Sequence, residues 1–212
     1  MELSRPGLRA PVAVACAVVA LALAACGGGG SDPKAAAPSP AGTKLTLTPG
    51  AVQVAAAGNP GTLSDADKTA IMATLRRYIV AATIDPLHGK PVGNLDQVFT
   101  PAALAALIGP NRDATVDDGV PKATSTVVAK NPPVPLTALS DPSGAIGLVG
   151  ASLFLDVNAK ASRGPVRILR TGDVVLSHDG GAWKITSYRL SVARTGTGLP
   201  EPTTSSTGST AP

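Results

Sequence analysis

The 212-residue sequence is poor in side chains that carry chemistry: two cysteines, two histidines, and five aromatics made up of two Tyr, two Phe and one Trp. Both cysteines, Cys16 and Cys26, lie near the N-terminus, which excludes a disulfide-stapled scaffold for the rest of the chain. His88 and His178 stand far apart in sequence, and no Cys/His cluster accompanies them, so neither a metal nor another cofactor is expected. Charged residues amount to 15%, and the formal net charge of +4 is too small and too scattered to suggest a nucleic-acid partner. Only one uncharged run, Pro11 to Ala25, approaches the ~20 residues needed to cross a bilayer, which excludes a multi-pass membrane protein. What is plentiful is small or turn-forming: 23 Gly, 20 Pro and long Ala tracts. With 44% hydrophobic residues, the chain still has enough apolar material to exclude wholesale disorder.

That uncharged run comes after Arg5 and Arg9 and ends in Leu23-Ala24-Ala25-Cys26. Positive start, short apolar stretch and small residues are the order of a secretory signal rather than a spanning helix. The tetrapeptide resembles the lipobox of bacterial lipoproteins. The resemblance implies a diacylglycerol on the Cys26 thiol, with acyl chains such as palmitate, and cleavage before Cys26. Leu23, Ala24 and Ala25 would be the residues the peptidase reads. Two acyl chains, at ~0.8 kcal/mol per buried methylene, anchor a protein stably where one does not. Removal of residues 1–25 takes away Cys16, Glu2, Arg5 and Arg9, leaving a mature chain with no free thiol. The expected location is the extracytoplasmic face of the cell membrane.

Composition divides the rest of the chain. Residues 26–61 are rich in Gly, Ala, Pro and Ser and read as a tether, extended or disordered, with at most an edge strand around Leu45 and Leu47. Residues 195–212 read as a disordered tail. All five aromatics fall between them, so the folded unit is expected over 62–194. Ser64 is placed to cap a helix whose apolar face is Ile71, Leu75, Tyr78, Ile79 and Ala82, ending near Ile84 before Asp85-Pro86. Thr100-Pro101 starts a second helix with Leu104, Leu107 and Ile108 as its buried side, stopped by Gly109-Pro110. Four strands are expected next, over 122–130, 146–158, 166–177 and 183–192, the last two joined at Asp179-Gly180-Gly181. The expected class is α+β, N-terminal helices packed on an antiparallel sheet of about four strands.

The basic strand Arg167-Ile168-Leu169-Arg170, the Asp179-Gly180-Gly181 turn and Trp183-Lys184-Ile185 resemble the closing strands of nuclear transport factor 2-like domains, and the Phe99-Thr100-Pro101 helix fits their layout. The resemblance implies a bent, cone-like sheet with a pocket over roughly 64–194. Domains of this kind occur in actinobacterial envelope lipoproteins, and the Ala/Gly/Pro/Arg-heavy usage suits a GC-rich genome of that type.

No catalytic constellation stands out. Ser31-Asp32-Pro33-Lys34 has a Ser-x-x-Lys spelling but lies in the tether, where no fold would position the lysine. Asp113, Asp117 and Asp118 lack calcium-loop spacing and read as a solvated turn. Should the domain hold a cavity, Asp156 and Arg170 are its charged candidates, since both interrupt apolar strands, with Phe154, Tyr78 and Trp183 as aromatic lining. An Asp held ionised by an Arg is a poor general base. The expected function is therefore a non-enzymatic binding or assembly module, held at the membrane by its lipid and meeting an envelope protein partner or hydrophobic ligand. The alternative is a small-molecule enzyme or lipid carrier that uses a cone-shaped cavity.

Overall fold

In the computed structural model, which describes residues 42–56, 58 and 60–200, the chain opens on two short strands, β1 (Thr43–Thr46) and β2 (Pro49–Ala56). Helix α1 (Asp65–Ile79) comes next, capped by Ser64, whose Oγ accepts from the Asp67 amide at 3.0 Å. Asp65 and Asp67 occupy its first turn, where the helix dipole favours negative charge. Ile71, Thr74, Leu75, Tyr78 and Ile79 form the buried stripe. The helix does not end at Ile84. It widens into a π-type turn, Val80–Ile84, and closes as a short α2, Asp85–Leu87.

Pro86 is the reason for the widening: it has no N–H for the Ala82 carbonyl, and the chain relaxes around the missing bond. Two carbonyls of this turn are used by distant loops instead. Ala82 O accepts from the Asp117 amide at 2.8 Å, and Ala81 O from the Gly93 amide at 3.0 Å.

Thr100 caps α3 (Pro101–Ala105) as its sequence requires, with Ala103 N donating to its Oγ1 at 3.4 Å. The buried side differs from expectation. Ala103 and Leu107 are buried, whereas Ile108 is 72% exposed. Gly109-Pro110 does not stop structure here but starts α4 (Gly109–Thr115), because a proline in the first helical turn lacks only a hydrogen bond that the turn never makes.

The remaining strands are β3 (Val127–Lys130), β4 (Val134–Ser140), β5 (Ile146–Ala161), β6 (Gly164–Asp179) and β7 (Ala182–Thr195). The α+β class is as expected, but the described residues form a seven-stranded sheet rather than one of four. β6 pairs with β5 from Leu148 to Ala161, and β7 pairs with β6 from Arg167 to Asp179, all antiparallel. The other edge of β5 is shared: β3 pairs with one end, Val128 opposite Asn158, and β4 with the other, Leu136 opposite Ala151. Outside these, β1 runs parallel to β3 and β2 parallel to β4. Residues 43–56 thus belong to the sheet, although their composition is that of a tether. Asn131-Pro132-Pro133 breaks the row between β3 and β4, and the Asn131 side chain restores one bond by accepting from the Phe154 amide at 2.8 Å.

The β6–β7 turn is the one the sequence announces. Gly180 and Gly181 both have positive φ, +60° and +81°, the backbone that a two-residue hairpin of matching twist needs. Gly172, midway along β6, has φ +133°, and a side chain there would run into the Arg189 carbonyl oxygen. At this point β7 leaves no room on β6 for any residue but glycine.

Alternation along β5 and β6 turns Val149, Ala151, Leu153, Leu155 and Val157, with Val166, Ile168, Val174 and Leu176, toward the helices. The core lies between that face and α1. Beyond β7, residues 196–200, expected from composition to be part of a tail, fold back against the start of β6, with Gly198 N donating to Pro165 O at 2.9 Å. Among the described residues, no helix is long and apolar enough to cross a membrane. Cys16, the lipobox residues 23–26 and residues 201–212 lie outside the described residues.

Candidate functional site

The inner face of the sheet carries one charge at its centre. Position 170 of β6 alternates with Ile168 on the buried side, and Arg170 is completely buried there. A buried guanidinium needs partners for its donors. Nε donates to the Ala114 carbonyl at 2.9 Å, Nη1 to Thr83 Oγ1 at 2.6 Å and Nη2 to Asp117 Oδ2 at 2.7 Å. Thr83 Oγ1 in turn donates to Asp117 Oδ2 at 2.6 Å. Arg194, the last inward position of β7, closes the other side: Nε donates to Asp117 Oδ1 at 2.8 Å, and Nη2 to the Asp113 and Val116 carbonyls at 2.7 and 2.8 Å. Asp117 therefore lies fully buried between two arginines.

Aromatic rings complete the cluster. The Arg170 guanidinium lies 5.9 Å from the Tyr78 ring centre, within reach of a cation–π contact. Tyr78 packs edge-on against Phe99, and Phe99 against Tyr188, each pair at 5.7 Å. The Tyr78 hydroxyl donates to the Thr115 carbonyl at 2.9 Å, and burial pushes its pKa up to about 12. For Arg170, burial opposes the charge, but the Tyr78 oxygen and the Asp117 carboxylate outweigh it and hold the pKa above the ordinary arginine value. Three separate regions meet here: the π-type turn brings Thr83, the strands bring the arginines, and the loop after α4 brings Asp117, fixed by its amide on Ala82 O.

The candidate residues from the sequence divide between two faces. Arg170 and Tyr78 come together inside. Asp156 does not join them: it lies on the outer face of β5, where Arg167 Nε and Nη2 donate to its two oxygens at 3.0 and 3.1 Å. The Arg167 hydrogen bonds hold the Asp156 pKa below the usual carboxylate value. Phe154 shares that outer face and is 51% exposed. Trp183 is a core residue at the far end of β7, its Nε1 donating to Asp67 Oδ1 at 3.0 Å and its ring 4.0 Å from that of His178.

The Asp113–Gly119 segment, read as a solvated turn, instead supplies the buried partner of Arg170. Sequence reasoning missed Asp117, Thr83 and Arg194. The signals present were Thr83 beside an apolar helical face, Arg194 on the inward alternation of β7, and Arg170 itself, a buried-position charge that requires an opposite charge somewhere.

The charged groups of Arg170, Asp117 and Arg194 are hydrogen-bonded to one another, and Arg194 also borders a neighbouring cleft. Among the described residues the surface also holds open clefts. One of about 340 Å³ lies between Asp113, Asp118, Val120, Arg194 and Leu199. One of about 290 Å³ lies beside Arg76, Arg77 and Val98, and one of about 410 Å³ is walled by Thr43, His88, Lys90 and Lys122. Among the described residues no group of three or more His, Cys, Asp or Glu is arranged to hold a metal ion. No family model, curated protein or solved structure matches this chain.

Proposed function

We propose that the chain is a lipid-anchored protein of the cell envelope, exposed outside the cytoplasmic membrane, whose domain is a non-enzymatic binding or assembly module. Leu23-Ala24-Ala25-Cys26 after a charged and then apolar leader supports the anchor. The observation that carries the module reading is the closed Arg170–Asp117–Thr83 network. Where a cone-shaped enzyme would keep free titratable groups, this chain commits them to one another. An Asp flanked by two arginines is a scaffold element rather than a base awaiting a substrate proton.

The close β6–β7 contact at Gly172 and the helix lying on one face of the sheet support the finer architectural reading of a bent, cone-like domain resembling nuclear transport factor 2-like folds. The interior of that cone is filled by Arg170, Tyr78 and Phe99, so recognition belongs to the surface. Residues 27–42 separate the anchor from β1, which limits the linker to roughly 55 Å at full extension.

Fractionation tests the anchor. Cys26→Ala should leave the protein unprocessed or release it from membranes, while normal processing with unchanged membrane association overturns the reading. Crosslinking from intact membranes tests the module. A single dominant crosslinked partner is expected, and turnover of a small molecule by the purified domain would replace the module with an enzyme.

A further inference from the structure

The two ends of the sheet differ in charge, and the chain enters the domain at the basic one. Gly42 O accepts from the Val127 amide at 2.9 Å, and Thr43 Oγ1 is hydrogen-bonded to His88 Nε2 at 2.6 Å. The cleft beside Thr43 is walled by His88, Lys90 and Lys122, with Asp85 as its acid, 3.3 Å from Lys90. Lys160 joins them through its carbonyl, which accepts from the Thr124 amide at 2.7 Å, and Arg163 stands in the β5–β6 turn next to it. Lys90, Lys122, Lys160 and Arg163 are all exposed, and the last three make no ion pair among the described residues. Asp113 and Asp118 line the neighbouring cleft together with Val120, Arg194 and Leu199, Asp118 being paired with Arg112.

At the opposite end stand Asp65, Asp67, Asp141 and Asp179, with Lys68 and Lys184 paired to Asp65 and Asp179 and His178 beside Asp67. The two ends are separated by the sixteen-residue run of β5, ~50 Å of strand.

We infer that the pole formed by Lys90, Lys122, Lys160 and Arg163 is the surface with which the domain lies on an anionic lipid bilayer. Linker geometry, charge and screening all favour it. The described chain begins at this pole, so a linker from the anchor reaches the domain here by the shorter path. Charge complementarity favours the same orientation, each Lys or Arg near an anionic surface strengthening partitioning roughly fivefold. Screening over about 8 Å at physiological salt means that only the pole in contact contributes, so the acidic end does not cancel it. A lipid anchor and a basic patch are also the two-signal combination that makes membrane attachment firm. The orientation rests on the anchor at Cys26; the charge attraction does not.

The test uses the chain from residue 26 onward with Cys26→Ser, which retains every core residue and carries no acyl group. It is sedimented with phosphatidylcholine vesicles containing or lacking phosphatidylglycerol. Binding to the anionic vesicles alone is expected, reversed by high salt and weakened about tenfold or more by Lys122→Gln with Lys160→Gln. Lys68→Gln with Lys184→Gln, at the other pole, should leave it unchanged. Equal binding to both vesicles, no binding, or equal loss from either pair overturns the inference. Circular dichroism of each variant separates unfolding from lost attraction. Because no acyl group is present, failure here leaves the anchor intact, and an unmodified Cys26 in the natural protein leaves this result intact.

Discussion

Two arginines of β6, Arg167 and Arg170, sit three positions apart on opposite faces of the same strand, and each pairs with an aspartate. Arg167 meets Asp156 on the outer face, its side chain 54% exposed, whereas Arg170 meets Asp117 with both side chains at 0%. The chemistry of the two pairs is the same, and the surroundings decide what each is worth. Water solvates the outer pair whether or not it forms, so the pair adds little. The inner pair has no such alternative, and each member depends on the other to offset the cost of burial. Removing one partner of the inner pair strands a buried charge, whereas removing one of the outer pair leaves a charge in water.

Asp117→Ala should separate the two cases most sharply. It leaves two arginines facing each other and the Thr83 hydroxyl without its acceptor, and a loss of about 3–5 kcal/mol is expected in urea unfolding. Arg170→Met, which removes the buried cation but leaves Asp117 its bond from Arg194, should cost less in the same measurement.

Alkali provides a second, smaller break. Tyr78 ionises at about 12 in the fold and near 10 in an unfolded chain, so its contribution is intact below pH 10 and is lost as pH rises from 10 through 12. The full effect is roughly 2–3 kcal/mol, read as a fall in Tm that Tyr78→Phe removes. Smallest is Asp156→Ala, which should change stability by about 0.5 kcal/mol or less. The Asp156 pKa is lowered, so its small contribution is present above the ordinary carboxylate value and fades as pH falls through the lowered one. A cost comparable to that of Asp117→Ala would erase the distinction between the faces.

What is legible in the sequence depends on how local each signal is. Ser64 and Thr100 as caps, the double-glycine hairpin, and the Leu153–Leu155–Val157 face of β5 depend on a few neighbouring residues, and all stand as expected. Strands β1, β2 and β4 depend on distant partners. Proline at 132, 133 and 135 hides the alternation of Val134, Leu136 and Ala138, and β1 and β2 become strands only because β3 and β4 offer edges to them. The same holds for the cluster inside. Arg170 is conspicuous as a charge in an apolar strand, but its partner sits in a loop placed by a carbonyl that Pro86 leaves without a donor. No spacing in the sequence encodes that contact. Asp156, the nearer candidate in sequence, faces the other way by the period of the strand.

The proposed function at the surface and at the membrane turns on Cys26. Intact-mass analysis of the protein isolated from its own membranes tests it directly. The account predicts a chain that begins at Cys26 and carries the added mass of a diacylglycerol. A free thiol at that position, or a leader still attached, would contradict it.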